Sequence, residues 1–368
     1  MNVAEQIVNQ LVDAGVHRIY GIVGDSLNPI VDAVRKTGGS KKGGIDWIHV
    51  RHEEAAAFAA SAEAQLTGKL AVCAGSCGPG NLHLINGLYD ANRTGAPVLA
   101  IASHIPSVQI GTMYFQETHP DRIFEECSVY NELISSAAQS PRTVNSAIRH
   151  AVGLGGVSVI TLPGDVSDLK AVEHVPTYAP ARPATLVPNA TDIEEAAALL
   201  NKADKVAIFA GAGVEGAHDE VIALADALKA PIGHSLRGKH FIQYDNPFDV
   251  GMTGLLGYGA AAEGMNDADV LILLGTDFPY DQFLPDTPTI QVDTHAEKLG
   301  RRTDVGLAIH AQVKPFIEAL LPHLRANRSD SFLTSKIKKH SEIMHAPVGA
   351  YTRNVEKMRP IHPEYAAH

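Results

Sequence analysis

The stretch spanning residues 47–93 constrains the fold of this chain most, because it holds two strand-to-helix crossings in succession. A strand-like apolar run is followed by a helix rich in alanine over 55–66. A second apolar run, 70–74, leads through a glycine-rich loop, 75–80, into another helix. Consecutive crossings of this kind build an open parallel sheet, which binds ligands where its strands end. The sequence therefore predicts an α/β fold with a carboxylate-bearing crossing beside a glycine-loop crossing.

Glu53 is the candidate catalytic residue of the first crossing. It falls in the first turn of its helix, where the helix dipole stabilises an anion by about 0.3–1 kcal/mol. The residues after it are nearly all alanine, so its carboxyl group is expected in apolar surroundings. Desolvation there favours the neutral acid and suits it to proton exchange near neutral pH. The same position also suits a glutamate that caps its own helix, and spacing alone leaves both interpretations open.

Composition bounds the domain count and excludes one class of partner. The 368 residues are too many for one ordinary hydrophobic core and predict two or three domains. A hydrophobic fraction of 45% is ample to fill those cores. The formal net charge of −11 argues against a nucleic-acid partner, since phosphate binding needs a basic face.

Three cysteines, Cys73, Cys77 and Cys127, are too few for a disulfide framework, and no second pair of ligands completes a metal site with them. They are interpreted as buried thiols in a reducing compartment. Residues 1–14 predict an amphipathic helix instead of a secretory signal. No apolar run approaches the roughly 18–20 residues that a bilayer span needs. A cytoplasmic location is therefore expected.

The chain alternates between strand and helix patterns in two blocks. The first block covers 1–170, and a proline-rich linker without periodicity follows over 171–190. A second α/β block covers 191–325, and 326–368 is predicted as a tail that contains a helix over 330–345 and then a linker. This alternation predicts two doubly wound domains with parallel sheets.

A second glycine-rich motif favours a different class of enzyme. Residues 211–216 read GAGVEG, which matches the dinucleotide fingerprint G-x-G-x-x-G between a strand and a helix. An NAD-dependent dehydrogenase also needs an acidic residue about 20 positions further on. The segment 231–235 offers none there, which weakens this alternative.

Several ordered stretches closely resemble the thiamine-diphosphate enzymes, namely RHEEAAAFAASAEAQLTGKLAVCAGSCGPGN, GIVGDSLNPIVDAV, VLAIASHIPS, YFQETHP, GVSVITLPGDV, LRGKHFIQYDNPFDVGMTGLLGYG and LLGTDFPY. Together they cover essentially the whole chain. Within that superfamily the chain is similar to the pyruvate oxidase group, in particular to its bacterial quinone-reducing members. The resemblance implies a pyrimidine-binding domain, a central FAD-binding domain, and oxidation of pyruvate to acetate and CO₂. Electrons would pass to a quinone, or to O₂ as in oxidase relatives.

The resemblance also implies roles for particular residues of the first domain. Glu53 would bond N1′ of the aminopyrimidine ring of thiamine, and this match outweighs the helix-cap interpretation. Phe115 and Gln116 would face the reacting pyruvate and the gap between thiamine and flavin, although an ordered loop aromatic explains Phe115 equally well. The loop expected along thiamine contains Gly75, Ser76, Gly78 and Gly80, for which a tight turn before a helix is the alternative.

In the central domain the resemblance implies FAD bound in an extended conformation. Asp293, at the end of a predicted strand, would accept hydrogen bonds from the ribose or adenine side. Arg237 would pair with the pyrophosphate, unless it only faces solvent. The cofactor-binding residues expected in this domain are Gly213, Arg237, Met252, Thr253, Gly254, Leu255, Gly275, Thr276, Asp277, Phe278, Pro279, Tyr280 and Asp293.

The resembled enzymes hold Mg²⁺ and the diphosphate group with a GDG…N segment of a third domain, and this sequence contains no such segment. The pairs Gly24-Asp25 and Gly164-Asp165 match other positions of the family. Residues 360–365 resemble the start of the third domain. We therefore expect a fragment that contributes no Mg²⁺ ligands, holds FAD, binds thiamine diphosphate weakly and does not turn over pyruvate alone.

The expected partners follow from the same resemblance. Pyruvate and quinone are the expected substrates, and at least a dimer is expected because pyrimidine domains pair with each other in the resembled enzymes. Peripheral membrane association of the intact enzyme would come from a C-terminal segment that this chain does not contain. The alternatives are a non-catalytic fragment that binds FAD and self-associates, or the NAD-dependent dehydrogenase. A visible absorption spectrum separates a flavoprotein from the dehydrogenase.

Overall fold

A computed structural model divides the chain into two compact units, Met1–Arg182 and Pro183–His368. Parts of the predicted linker (171–190) and of the predicted tail (326–368) lie outside the residues that the structure describes. The described residues are 1–173, 178–179, 181, 184–325, 329–352, 357, 359–361 and 363, without the side chains of 346–352.

The first unit is built on a six-stranded sheet in which every pair of neighbouring strands is parallel. Its elements are α1 (Val3–Asp13), β1 (Arg18–Gly21), α2 (Asn28–Lys36), β2 (Asp46–His49), α3 (Glu53–Thr67), β3 (Ala71–Gly75), α4 (Pro79–Leu82), α5 (Ile85–Thr94), β4 (Val98–His104), α6 (Pro120–Ile123), β5 (Tyr130–Leu133), α7 (Ser140–Leu154), β6 (Val157–Pro163) and α8 (Gly164–Asp168). The strand order is β2-β1-β3-β4-β6-β5. The order reverses between β1 and β3, which is where an open sheet of this kind leaves a crevice for a ligand.

The middle strands of this sheet are continuous apolar runs, as strands covered on both faces tend to be. Every residue of β3, β4 and β6 is buried. The strands that the sequence predicts over 70–74, 97–102 and 157–162 correspond to these three.

Small residues bring α3 close to α5. A side chain at Gly87 of α5 would place its Cβ 2.5 Å from the Cβ of Ala57 and 2.6 Å from the backbone nitrogen of Phe58. The alanine-rich sequence of α3 is therefore explained largely by this close helix pair. Helix α3 ends at Gly68, whose φ of +65° is the left-handed conformation that glycine adopts at helix ends.

The second unit has a seven-stranded sheet. Its elements are α9 (Ala190–Lys202), β7 (Val206–Ala210), α10 (His218–Leu228), β8 (Ile232–His234), α11 (Leu236–Ile242), β9 (Asp249–Met252), β10 (Tyr258–Gly259), α12 (Ala261–Asn266), β11 (Val270–Leu274), β12 (Thr289–Asp293), β13 (Leu307–His310), α13 (Val313–Leu320) and α14 (Ser331–Thr352). The strand order is β10-β9-β8-β7-β11-β12-β13, and the short edge strand β10 runs antiparallel to β9. Two α/β domains with parallel sheets, the fold class predicted from the sequence, are thereby confirmed.

Helix α14 differs from the helix predicted over 330–345, because it continues to Thr352 and packs on the second unit. Leu333 is buried there, and Lys336 is only 5% exposed. The Nζ atom of Lys336 donates to Glu263 Oε1 on α12 at 2.7 Å and to Oδ2 of Asp267, the residue that caps the C-terminus of α12, at 2.5 Å. Among the described residues, no helix has the length and apolar character needed to cross a bilayer.

Candidate functional site

The loops that follow β1 and β3 meet at the crevice of the first sheet. The hydroxyl oxygens of Ser26 and Ser76 lie 2.8 Å apart, and the amide of Cys77 donates to Ser26 Oγ at 3.0 Å. These bonds hold the glycine-rich loop against the end of the neighbouring strand crossing. In the sheet, β1 lies between β2 and β3, so these bonds join the glycine loop to the β1 crossing; the predicted neighbourhood of the glycine loop and the Glu53 crossing depends on the contact between Glu53 and His83.

Glu53 is the first residue of α3, and its side chain turns away from the helix terminus. The cap is supplied by His52, whose Nδ1 accepts from the amide of Glu54 at 3.2 Å. Glu53 is 8% exposed, and its Oε2 lies 3.1 Å from Nδ1 of His83 in the turn after α4. Its carboxyl group therefore faces the second crossing, whereas the capping contact belongs to its neighbour.

The glycine loop lies between Glu53 and Gln116. A Cβ atom at Gly80 would lie 3.3 Å from Glu53 Oε1, and one at Gly78 would lie 2.8 Å from the Cβ of Gln116. Gly78 also has a φ of +70°, which disfavours other residues. A Cβ at Gly75 would lie 2.4 Å from the carbonyl oxygen of Gly80, so the loop closes tightly on itself. Because Gly80 has no side chain, no Cβ atom stands 3.3 Å from Oε1 of Glu53, and this side of the carboxyl group is left open to a ligand.

A cavity of about 350 Å³ opens beside this loop. Gln116 adopts a φ of +67°, which is rare for a residue with a side chain, and its Oε1 lies 3.8 Å from Sγ of Cys77. Phe115 is 78% exposed at the rim. The lining residues are Asp25, Ser26, Cys77, His104, Ile105, Pro106, Tyr114, Phe115, Gln116, Gly164 and Asp165.

Two titratable groups of the cavity wall, His104 and Asp165, have lowered pKa values. Burial lowers the pKa of His104, which favours its neutral imidazole, and its Nδ1 is buried without a hydrogen-bond partner in the part of the chain that the structure describes. Burial alone would raise the pKa of Asp165, but hydrogen bonds from the hydroxyl and amide of Ser107 outweigh it and lower that pKa. Sequence analysis assigned neither residue to the site, because the stretches around them resemble the family without indicating a role for either side chain.

A histidine–carboxylate cluster also forms around Glu53. One ligand atom each from His52, Glu53 and His83 lie within 4.8 Å of one another. Nothing in the spacing of these residues signals the cluster, since His83 is 30 positions from Glu53 and belongs to the other crossing.

In the second unit, the predicted cofactor residues lie at the C-terminal edge of the sheet, at the ends of β9 and β12, in the loops after β7, β9 and β11, and, for Arg237, on α11 after β8. The glycines of two of these loops pack on each other. A Cβ at Gly213 would lie 2.6 Å from the Cα of Gly275, and one at Gly211 would lie 2.3 Å from the carbonyl oxygen of Gly275. Contact between the β7 and β11 loops thus accounts for the first two glycines of the fingerprint, whereas Gly216 has a φ of +71° and nothing within 4 Å of its missing Cβ.

The remaining predicted residues of this edge differ in exposure. Gly254, with a φ of +117°, brings its backbone against the ring of Phe278, so the loops after β9 and β11 also touch. Three polar residues of this edge are buried, with only 4–6% of their surface exposed, namely Thr253, Thr276 and Asp293. The residues Arg237, Leu255 and Pro279 are exposed, while Met252 is buried and Tyr280 is intermediate.

Two arginines that the sequence did not single out hold Asp277. Arg302 Nε lies 3.1 Å from Asp277 Oδ1, and Arg301 forms a second ion pair with the same carboxylate. Asp293 Oδ1 accepts from the amide of His295 at 2.9 Å. A dinucleotide fingerprint at 211–216 would require an acidic residue at the end of the next strand, β8. That strand ends instead in the buried His234.

Comparison with known families matches both units. The thiamine pyrophosphate enzyme N-terminal TPP binding domain matches residues 1–123, and the thiamine pyrophosphate enzyme central domain matches residues 193–320. The chain is 54% identical over 334 residues to an uncharacterized 42.6 kDa protein encoded in the isoamylase 3′ region of Pseudomonas amyloderamosa. That alignment covers 90% of this chain and 83% of the relative.

Two more distant relatives carry functional names. The chain is 38% identical to the putative thiamine pyrophosphate-containing protein YdaP of Bacillus subtilis, over 90% of this chain and 58% of the relative. It is 31% identical to the pyruvate oxidase of Lactiplantibacillus plantarum, over 88% of this chain and 54% of the relative. The chain therefore spans little more than half the length of these two proteins.

Proposed function

Since this chain belongs to the thiamine pyrophosphate enzymes, we propose that it serves the oxidative decarboxylation of pyruvate, with thiamine diphosphate and FAD as cofactors and a quinone as electron acceptor. The balanced reaction converts pyruvate, water and quinone into acetate, CO₂ and quinol. The similarity to a pyruvate oxidase supports the choice of pyruvate. The proposal rests chiefly on one observation, the buried carboxyl group of Glu53 that faces the glycine loop.

Glu53 and the loop at 75–80 fit the aminopyrimidine ring of thiamine. His83 occupies Oε2 of Glu53, whereas Oε1 borders Gly80, where a side chain would come within 3.3 Å. A flat ring therefore has access to Oε1, and Glu53 would hold a proton between this oxygen and N1′ of the ring. Low exposure protects this hydrogen bond from competition by water.

When bound, thiamine diphosphate supplies the electron sink for decarboxylation and FAD accepts two electrons. The chain's own contribution to substrate binding would be the cavity beside the loop. Its volume of about 350 Å³ falls in the range of small-molecule sites. The side-chain amide of Gln116 would contact pyruvate oxygens, and Phe115 would limit access of water at the rim. The hydroxyl of Ser26 is already bonded to Ser76 and Cys77 and would only support the wall.

FAD is proposed to bind at the carboxyl edge of the second sheet. The fit rests on Thr253, Thr276 and Asp293, three polar side chains that are nearly buried at this edge. Polar side chains at low exposure form hydrogen bonds with little competition from water, and the hydroxyls of an adenosine ribose could bond to them. Because Asp277 is already paired with two arginines, we assign the ribose to Asp293 and not to Asp277.

The test of the thiamine site compares Glu53→Gln with the matched variant Glu54→Gln, which changes the neighbouring carboxylate of the same helix turn. Glu54 bonds Asn86 at the surface, so its loss should leave the site intact. Calorimetry with thiamine diphosphate and Mg²⁺ should show weaker binding only for Glu53→Gln. The C2 hydrogen–deuterium exchange of bound cofactor should slow by roughly 10²–10⁴ in that variant. Equal binding and exchange in both variants would remove Glu53 from this role.

The reaction and the flavin need separate measurements. A flavin band in the visible spectrum of the purified chain, or on titration with FAD, is expected, and Asp293→Asn should weaken FAD binding. Acetate and quinol formation from pyruvate should then be measured, with a soluble quinone and with O₂, after addition of a diphosphate-binding domain of the family, because the chain alone is not expected to turn over pyruvate. Flavin binding without acetate formation would instead favour a non-catalytic flavoprotein.

A further inference from the structure

The cluster of His52, Glu53 and His83 has the composition of a transition-metal site. Two imidazoles and one carboxylate converge with ligand atoms within 4.8 Å of one another. The closest pair, His83 Nδ1 and Glu53 Oε2, is 3.1 Å apart. Around a tetrahedral Zn²⁺, with bonds of about 2.0–2.2 Å, neighbouring ligand atoms are separated by about 3.4 Å. This pair could therefore share a metal ion with little movement.

The third ligand requires rotation of a side chain. The rings of His52 and His83 are stacked, with centroids 4.3 Å apart and planes 26° apart. A nitrogen lone pair lies in the plane of its ring, so one imidazole has to turn before both point at one ion. Both side chains are free to do so, because their exposed fractions are 50% and 44%. Coordination through Nδ1 of His52 would also release the amide of Glu54 from its cap, which lowers the expected affinity.

We propose that His52, Glu53 and His83 bind one divalent transition-metal ion, with Zn²⁺ as the representative, and that this ion blocks access of a ligand to Glu53. Imidazole nitrogens suit Zn²⁺, Cu²⁺, Co²⁺ and Ni²⁺ better than Mg²⁺, which prefers oxygen ligands. Three protein ligands leave a fourth position to water, the pattern of an open zinc site.

The metal would exclude the thiamine ring, a consequence that rests on the proposed function of Glu53. Because a metal ligand must be deprotonated, a Glu53 carboxylate that binds Zn²⁺ through Oε2 could not hold a proton between Oε1, which borders Gly80, and N1′ of the ring. Thiamine diphosphate and Zn²⁺ would then compete, and an enzyme assembled around this chain would be inhibited by zinc through its proton-transfer residue.

Zinc binding should be measured first, on the full chain without cofactor. The chain is titrated with ZnCl₂ by calorimetry, and with CoCl₂ by visible absorption, since Co²⁺ reports ligand number and geometry. One equivalent should bind. His52→Ala and His83→Ala should each lose at least the roughly 10–100-fold that removal of an outer-shell partner costs. His17→Ala, which removes an exposed histidine outside the cluster, should bind as the native chain does.

The outcomes separate the metal site from the proposed function. Equal affinity in all variants, or no binding at micromolar Zn²⁺, would overturn the site and leave only scattered surface histidines. Glu53→Gln keeps the shape of the side chain and leaves the two histidines in place, and it should weaken the binding of Zn²⁺. The second experiment titrates the chain with thiamine diphosphate at increasing Zn²⁺ concentrations. Competition between the two supports the proposed exclusion of the thiamine ring by zinc, and simultaneous binding of both overturns it. Failure of the chain to bind thiamine diphosphate at all would contradict the proposed function without affecting the zinc result.

Discussion

The Nδ1 atom of His83 lies 3.1 Å from Oε2 of Glu53, although 30 residues of chain separate them. The contact joins the two strand-to-helix crossings, because Glu53 starts α3 and His83 follows α4. It also distinguishes the two carboxylate oxygens, since Oε2 is held by the imidazole and Oε1 borders Gly80. The orientation of the proposed catalytic acid is thus set by a residue of the neighbouring crossing.

Replacing His83 by alanine should therefore weaken thiamine diphosphate binding and leave the fold intact. A hydrogen bond to a charged group contributes about 1.5–3 kcal/mol, so an affinity loss of roughly tenfold or more is expected. Calorimetry with excess Mg²⁺ and a chelator selective for transition metals excludes any effect of zinc binding. His83→Gln, which retains a hydrogen-bonding side chain, should recover part of the affinity. Unchanged binding by His83→Ala would show that Glu53 needs no such support.

Two glycine-to-alanine substitutions in the first unit should act in opposite directions. Gly87→Ala would force a Cβ atom to within 2.5 Å of Ala57, and such overpacking costs about 1–3 kcal/mol of stability. Gly153, near the end of α7, has nothing within 4 Å of its missing Cβ. Gly153→Ala should therefore stabilise the unit by at most about 1 kcal/mol, because alanine loses less conformational entropy. Urea unfolding measures both, and a stable Gly87→Ala variant would refute the close α3–α5 packing.

Local signals in the sequence predicted those elements that are long or fully buried. The apolar runs of β3, β4 and β6 and the alanine-rich α3 needed no knowledge of their neighbours. The short strands β5, β8 and β13 were missed, since three or four residues carry too little periodicity to stand out. The docking of α14 was also missed, because its buried face includes Lys336, a residue type that usually predicts exposure.

The features of the candidate site likewise divide into those that local sequence signals predicted and those that depend on the folded chain. Glu53 and the loop at 75–80 could be identified because each stands at the junction of a strand and a helix. The pairing of Glu53 with His83 depends on the distance between two helices, which no spacing in the sequence encodes. The glycine fingerprint at 211–216 shows a limit of motif matching, since contact with Gly275 is reason enough for glycine at 211 and 213 whether or not a phosphate binds there.

The buried His104 should make the first unit less stable in mild acid. Burial lowers the pKa of His104, an effect increased by His119 and opposed by Glu117 and Asp121. A depressed pKa means that the unfolded chain binds the proton more readily. This contribution to stability is therefore complete above the unfolded pKa of about 6.5 and is lost as the pH falls through the folded value. The slope cannot exceed about 1.4 kcal/mol per pH unit.

The free energy of unfolding in urea is measured at a series of pH values between 7.5 and 5, about half a pH unit apart. This range brackets the pKa of histidine in the unfolded chain. His104→Asn should remove the acid-dependent component, whereas His17→Asn, at an exposed position, should not. Parallel pH profiles of the native chain and His104→Asn would show that another group is responsible.

Self-association through α3 is the last expectation. An apolar stripe runs along the exposed face of this helix, where Phe58 is 43% exposed and Leu66 is 82% exposed. Residues 55 and 62 continue it with exposed alanines at helical spacing. In an isologous dimer the same patch is used by both copies, so one substitution changes the interface twice. Light scattering should therefore give at least a dimer for the native chain and a monomer for Leu66→Lys. The matched variant Leu154→Lys alters an equally apolar side chain, 61% exposed on α7, and should remain associated. A monomeric native chain would refute the expectation, and dissociation by Leu154→Lys alone would move the interface from α3 to α7.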